Sequence, residues 1–351
     1  MNILAIESSC DETAAAVVED GVTIRSNVIA SSAAMHAKYG GIVPEVAARE
    51  QLKVIIPTID EALKQAKTDF ASVDAIAITV GPGLIGSLLI GVETAKTIAL
   101  TTGKPLIPVN HVLAHMYANF VQNEQNSSRA QSRDHIGKIE FPAISLVVSG
   151  GHTELFLMES PKKITWLGGT LDDAAGEAFD KTARLLGFEN RGGPAIQESA
   201  ARFQLDKSRF KTKLPRPLLH DGSLNFSFSG LKTAIWREWN KISDIDEEMT
   251  SAFAYEVQEA ITDVLVAKTM HAAQKYAAKS IFISGGVAAN LRLREKMQDA
   301  AEKKSVKLFI PPISLCTDNA VYIASYAFFR GASADWHTIT AVPNLSVEIY
   351  L

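Results

Sequence analysis

Short apolar runs closed by polar or glycine-rich turns recur along this chain and predict strands at definite places. Residues 2–7 read as a buried strand, Ser8-Ser9-Cys10-Asp11-Glu12 as a polar turn, and residues 13–18 as a returning strand, so the chain opens on a hairpin. A helical pattern follows over residues 45–67. Residues 75–80 form a strand ending in Gly81-Pro82-Gly83, and a long apolar helix runs over about 84–100. A short strand at 106–109 feeds a helix that carries His111 and His115. Residues 121–140 are polar and aperiodic and read as a linker or long surface loop.

The pattern then restarts. Residues 143–148 are a strand, Ser149-Gly150-Gly151-His152 a turn, and residues 153–158 a returning strand. Residues 280–283 form a strand ending in Ser284-Gly285-Gly286, with a helix from about Ala288. Laid on the opening hairpin, Ser149 falls on Ser9 and Thr153 on Thr13. One such pair is expected by chance; two in the same order argue for an internal duplication. The predicted layout is an N-terminal α/β domain over 1–125, a linker over 126–140 and a C-terminal α/β domain over 141–351. The last helix of that domain can pack back on the first. Ligands of such paired domains sit in the cleft between them.

Composition narrows the function classes. A chain of 351 residues is long enough for two cores. The formal net charge of -4 excludes a global basic field, so a nucleic-acid site must be local. Two cysteines, Cys10 and Cys316, exclude a disulfide framework and a cysteine-built zinc knuckle. The first residues lack a basic leader, and the apolar stretches are too short to span a bilayer, so a cytoplasmic protein without membrane contact is expected.

Candidate chemistry lies at the turns. His111 and His115, spaced i, i+4, project to one side of a helix and make half of a metal site. Val112 stands where a His-Glu-x-x-His peptidase carries its glutamate base. Ser149-Gly150-Gly151 can form an anion-binding nest or an ordinary hairpin turn. Gly285 to Asn290 opens a helix and can hold a phosphate and a nucleoside, or serve only close packing. Asp173, Glu177 and Asp180 fall on one helix face, where a cation, ribose hydroxyls or water must take up their charge. Thr317 or Asp318 reads as a helix N-cap, and Asp318 equally as a carboxylate ligand. The stretch from Arg209 to His220, followed by Phe226-Ser227-Phe228, joins cations and aromatics that can grip RNA or form a solvated loop.

Several motifs stand in a definite order: Ile-Glu-Ser-Ser-Cys-Asp-Glu-Thr, Asn-His-Val-Leu-Ala-His, Val-Ser-Gly-Gly-His-Thr, Asp-Asp-Ala-Ala-Gly-Glu-Ala-Phe-Asp-Lys, Phe-Ser-Phe-Ser-Gly-Leu-Lys-Thr, Gly-Gly-Val-Ala-Ala-Asn and Cys-Thr-Asp-Asn-Ala. Over nearly the whole chain this set resembles the bacterial branch of the tRNA N6-adenosine threonylcarbamoyltransferase family, once called glycoproteases. The resemblance implies a duplicated actin/Hsp70/sugar-kinase fold. It implies transfer of a threonylcarbamoyl group from threonylcarbamoyl-AMP to the adenosine beside the anticodon, position 37, in tRNAs reading codons that begin with A. Carried over by motif, the metal ligands are His111, His115 and Asp318, with Fe(2+) as the family's metal and Zn or Mg as alternatives. The substrate contacts are Val147, Val148, Ser149, Gly150, Gly151, Asp180, Gly193 and Asn290. The implied partners are tRNA, a shorter paralogous protein of the same fold and a small P-loop ATPase. One departure stands out: Gln197 replaces an aspartate found in some members.

Asp11 and Glu12, on the opening turn, are the candidates for the base that takes the amine proton. The rival readings are a metal-dependent endopeptidase, which Val112 disfavours, a small-molecule kinase of the same fold, and a non-catalytic scaffold.

Overall fold

The structure is a computed structural model. It describes residues 1–36, 41–123, 137–188, 192–203, 210, 212–242 and 245–348. The chain divides into two compact units, Met1–Ile139 with Thr317–Leu351, and Glu140–Cys316.

The first unit is built on strands β1 (Asn2–Glu7), β2 (Glu12–Glu19), β3 (Thr23–Ser31), β4 (Ala75–Gly81), β5 (Leu106–Asn110) and the two-residue β6 (Gln122–Asn123). Among the described residues they form one sheet in the order β5-β4-β1-β2-β3-β6. The first three strands run as an antiparallel meander, and β4 and β5 add parallel to β1. Helices α1 (Pro44–Gln65) and α2 (Ile85–Thr102) cover one face. Ile55, Ile59 and Val92 pack there on Leu4, Ile6, Ile76 and Ile78. The one-turn α3 (His111–His115) follows β5 directly. Asn110 caps it, its Oδ1 accepting the N–H groups of Val112 and Leu113 at 3.1 and 3.2 Å.

The second unit carries β7 (Ala143–Val148), β8 (Thr153–Ser160), β9 (Lys163–Gly169), β10 (Ser280–Ser284) and β11 (Lys307–Phe309), in the order β11-β10-β7-β8-β9. Its helices are α4 (Ala175–Leu185), α5 (Gly192–Arg202), α6 (Ser229–Trp239), α7 (Glu247–Lys275) and α8 (Leu291–Lys303). The chain then returns to the first unit as α9 (Val321–Phe329), which packs on β1 and β2.

The duplication is visible in strand order and in register. Without β6 the two orders coincide strand for strand. Ile3 pairs with Val18 and Ala143 with Met158, so an offset of 140 carries one hairpin onto the other without a slip. The parallel neighbours agree, since Ile3 faces Ala75 and Ala143 faces Ser280.

Some expectations need correction. The C-terminal domain predicted over 141–351 ends at Cys316, because residues from Thr317 onward belong with the first unit. The linker predicted over 126–140 lies mostly outside the described residues. Strands β3 and β9 and helix α7 were not foreseen. The two strands lack a clean alternation, with Ile29 and Trp166 on exposed positions, and α7 is buried on most sides, so an amphipathic period is lacking. No helix among the described residues is long and apolar enough to cross a membrane.

Candidate metal centre and nucleotide pocket

In the first unit, β5 delivers α3 so that His111 and His115 lie buried beside Asp318, on the turn that enters α9. Asp318 Oδ1 is 3.7 Å from His111 Nε2 and 3.5 Å from His115 Nε2. The three ligand atoms all lie within 4.8 Å of one another. Thr317 and Asp318 do not cap α9; Asn319 Oδ1 instead accepts the Val321 N–H at 3.0 Å. Asp318 is therefore available as a ligand.

The surroundings orient these groups. Glu7, wholly buried at the end of β1, accepts hydrogen bonds from Thr79 Oγ1 at 2.6 Å and from the Ser9 N–H at 2.5 Å. Its Oε2 also lies 3.0 Å from His111 Nδ1. Tyr322 packs against His115, with ring centroids 4.4 Å apart, and its hydroxyl donates to Asp318 at 3.4 Å. Burial opposes an imidazolium at His111, but Glu7 and Asp318 outweigh it and lift its pKa to about 9. Burial holds His115 below the usual histidine range. Burial favours a neutral Asp318, but His111 and His115 overcome it and hold the carboxyl well below the usual range.

Among the described residues neither ring nitrogen of His115 makes a hydrogen bond. A buried imidazole without a partner is costly. A cation accepting one lone pair would relieve it. Two imidazoles and a carboxylate suit a divalent transition metal with open positions. The trio thus fits a metal ion. Glu7, Thr79 and Tyr322 were not singled out in the sequence. The only available signal was the glutamate within the opening motif, at a position where the second hairpin carries Val147.

Asp11 lies on the same unit's β1–β2 turn, and Glu12 opens β2 directly after it. Gln51 holds that turn, its Nε2 donating to the carbonyls of Cys10 and Glu12 at 2.9 and 3.1 Å. Burial, then a hydrogen bond and charge repulsion from Asp11, push Glu12 up to about 8. The charge of Asp318 adds to this rise. Burial and the neighbouring carboxylates likewise push the Cys10 thiol far up, which makes it a poor nucleophile.

The second unit holds a cavity of about 390 Å³, a size suited to a small-molecule ligand. Gly150, Asp180, Gly193, Gln197, Asn290 and Ile313 are among its lining residues. Of the predicted substrate contacts, the structure brings Gly150, Asp180, Gly193 and Asn290 to this cavity. Val147, Val148, Ser149 and Gly151 do not line it. Val147 and Val148 are buried in β7. The Ser149 N–H is engaged by the His152 carbonyl at 2.8 Å, so a nest at this turn would rest on Gly150 and Gly151 alone.

Of the three acids predicted for one helix face, Asp173 lies just before α4, and Glu177 and Asp180 lie on it. Lys181 pairs with Asp173 at 2.7 Å and Glu177 at 2.8 Å, which leaves Asp180 at the cavity. The protein around Asp180 pushes its carboxyl up, while Arg184 and the Gly192 N–H pull the other way. Asn290 is partly occupied, since its Oδ1 caps α8 through the Leu293 N–H at 2.9 Å and its Nδ2 donates to Gln258 at 3.0 Å. Gln197 Oε1 accepts the Leu291 N–H at 2.7 Å. That bond fixes the amide orientation and leaves Nε2, without a partner among the described residues, as a donor. The predicted basic stretch from Arg209 to His220 lies partly outside the described residues. Its Arg216 is tied to Asp263 at 3.0 Å and to Glu256, so it is not a free cation.

A sequence profile described as tRNA N6-adenosine threonylcarbamoyltransferase matches residues 23–325. A protein of that name from Moorella thermoacetica is 45% identical over 350 residues, covering 99% of this chain and 97% of its own. Another from Dehalococcoides mccartyi is 48% identical over 352 residues, covering 99% of both. Among solved structures, component A of (R)-2-hydroxyglutaryl-CoA dehydratase from Acidaminococcus fermentans is similar, with TM-score 0.51 at 14% identity. It covers 93% of this chain and 98% of its own. HypF from T. kodakarensis matches with TM-score 0.58 at 14% identity, over 93% of this chain and 47% of its own. These likenesses establish the fold as the duplicated actin/Hsp70/sugar-kinase α/β class.

Proposed function

The chain belongs to the tRNA N6-adenosine threonylcarbamoyltransferase family, and on that premise we propose that it transfers a threonylcarbamoyl group from threonylcarbamoyladenylate to the N6 amine of adenosine 37. The acceptors are tRNAs reading codons that begin with A, and AMP is the second product. The observation that carries this reading is the convergence of His111, His115 and Asp318, whose ligand atoms lie within 4.8 Å.

The donor is a mixed anhydride of a carbamate and a phosphate, already activated, whereas an adenine amine is a weak nucleophile. Catalysis must align the two and stabilise negative charge on the carbonyl and departing phosphate oxygens. Asp180, Gly193 and Asn290 hold the nucleoside of the donor, with the Gly150 and Gly151 amides toward its phosphate. Gln197 adds a donor where an aspartate would add an acceptor. His111, His115 and Asp318 hold a divalent cation, Fe(2+) first and Zn or Mg as alternatives, which when bound supplies Lewis-acid stabilisation of that charge. The Asp11–Glu12 pair takes the amine proton, since Glu12, at about 8, is poised near neutral pH. Val112, fully buried and apolar, supplies no base for a peptidase.

The working protein is assigned to the cytoplasm, with two protein partners, a shorter paralogue of the same fold and a small P-loop ATPase. Support for the paralogue comes from α1 and α2. The Gly86 backbone approaches Ala48 so closely that a Cβ there would stand 3.2 Å away, and Leu52, Ile56, Ile85 and Leu89 are exposed on the same two helices. Exposed apolar side chains on adjoining helices suit a helix-to-helix contact.

Mass spectrometry of tRNA nucleosides after depletion of the protein tests the function. Loss of threonylcarbamoyladenosine is expected; an unchanged level in a cell with a single copy overturns the reading.

A further inference from the structure

Helix α6 presents two unlike faces. Leu231 and Ile235 are fully buried, in the same core as Phe179, which neighbours Asp180 of the cavity. The opposite side exposes Lys232, Thr233, Trp236 and Arg237. Trp236 is 56% exposed, unusual for the largest apolar side chain. Spacing of i, i+4 stacks Lys232 with Trp236 and Thr233 with Arg237 along one stripe.

The charges of this stripe are left open. Some exposed helix cations elsewhere are matched by acids one turn away, as in Arg49–Glu45 at 2.7 Å and Lys64–Asp60 at 2.6 Å. Even Lys241, just beyond α6, pairs with Glu238 at 2.7 Å. Lys232 and Arg237 have no ion pair among the described residues. What marks the stripe is the combination, two cations without an ion pair on the same exposed face as a bare indole, in a chain of net charge -4.

The stripe is held in place. The Asp172 carboxylate accepts from the Phe228 and Ser229 N–H groups at 2.7 and 3.1 Å and from the Ser227 and Ser229 hydroxyls at 2.6 and 2.8 Å, which pins the start of α6. Asp172 itself lies just before α4, the helix that carries Asp180.

We propose that the Lys232–Trp236–Arg237 face of α6 is a contact surface for the RNA substrate, with Trp236 stacking on an unpaired base and the two cations on flanking phosphates. The proposal rests on the transferase reading above and deepens it. An aromatic platform between cations is the chemistry that holds single-stranded nucleotides. A protein partner would instead find Trp236 as the one exposed large apolar residue of α6, too little for a docking core.

The test is binding of an unmodified tRNA transcript to the full chain over a range of salt, with the transfer reaction followed in parallel. Trp236→Ala is expected to weaken binding about tenfold or more, and Trp236→Phe to keep most of the affinity. Lys232→Ala and Arg237→Ala are each expected to lower the slope of log affinity against log salt by about one. AMP affinity and kcat at saturating tRNA stay at wild-type values. Unchanged RNA affinity and slope overturn the proposal, as does a fall in AMP affinity that parallels the fall in RNA affinity. A wild-type chain that binds tRNA but transfers nothing even when supplied with donor and both proposed protein partners rejects the transferase reading instead, so the two failures are distinct.

Discussion

Glu7 Oε2 lies 3.0 Å from His111 Nδ1, both side chains being buried. Thr79 and the Ser9 N–H occupy other lone pairs of the carboxylate, so the His111 ring is aimed from behind with Nε2 toward Asp318. Such a carboxylate–histidine contact fixes the tautomer and raises ligand basicity. Glu7→Gln keeps the volume but puts a neutral amide behind the ring. Metal affinity measured by chelator competition is expected to fall roughly 10- to 100-fold. Wild-type affinity would remove Glu7 from the metal centre.

Gly285 closes β10 with φ +93°, and a Cβ there would stand 2.4 Å from the Val148 carbonyl oxygen. Neither problem has a side-chain solution, because the clash is with backbone. Gly285→Ala is expected to cost about 3 kcal/mol or more in a denaturant melt and to abolish AMP binding. Gly286→Ala is the control for stability alone, since its Cβ would meet nothing within 4 Å although the residue lines the cavity. Equal losses of stability in the two would mean that local geometry does not decide the matter.

Arg294 ties two walls of the same cavity. Its Nε donates to Ala288 O at 2.7 Å, and its Nη2 to Pro311 O at 2.7 Å and Cys316 Sγ at 3.2 Å. The flanking segments contribute Ala289, Asn290 and Ile313 to the lining. A lysine ammonium cannot reproduce this planar fork. Arg294→Lys is expected to lose about 1–3 kcal/mol of stability and to weaken AMP binding measured by calorimetry. Retained AMP affinity would show that the walls hold their places without it.

The duplicated hairpins were legible because alternation and turn chemistry are local, and Ser9 and Ser149 occupy matching turns. The metal trio was legible in part: His111 and His115 share one helix, but Asp318 is about two hundred residues away, and its residues alone left it open between helix cap and ligand until the family resemblance chose the ligand. The last helix was expected to be able to pack back on the first domain, but the boundary at Thr317 was not legible, since an apolar helix such as Val321–Phe329 carries no mark of which unit it belongs to. Glu7 was missed for a related reason. A buried carboxylate is intelligible only with its partners, and Thr79 and His111 come from two other strands' ends.

Glu154 supplies a prediction about pH. It sits on β8, and its Oε2 accepts the Trp166 indole N–H at 2.7 Å. Burial pushes its carboxyl from 4.5 up to about 7, against the opposing pull of that hydrogen bond. Between these values the folded chain holds a proton that the unfolded chain has released, so stability is greatest at low pH and falls as pH rises through 7. The loss attributable to this one group is on the order of 2 kcal/mol. Glu154→Gln retains an acceptor for Trp166 and cannot ionise. Denaturation midpoints of the two proteins are expected to agree near pH 5, with the variant more stable at pH 8. A difference that is the same at both pH values would mean that Glu154 titrates as an ordinary surface carboxylate and that the indole contact leaves its proton unaffected.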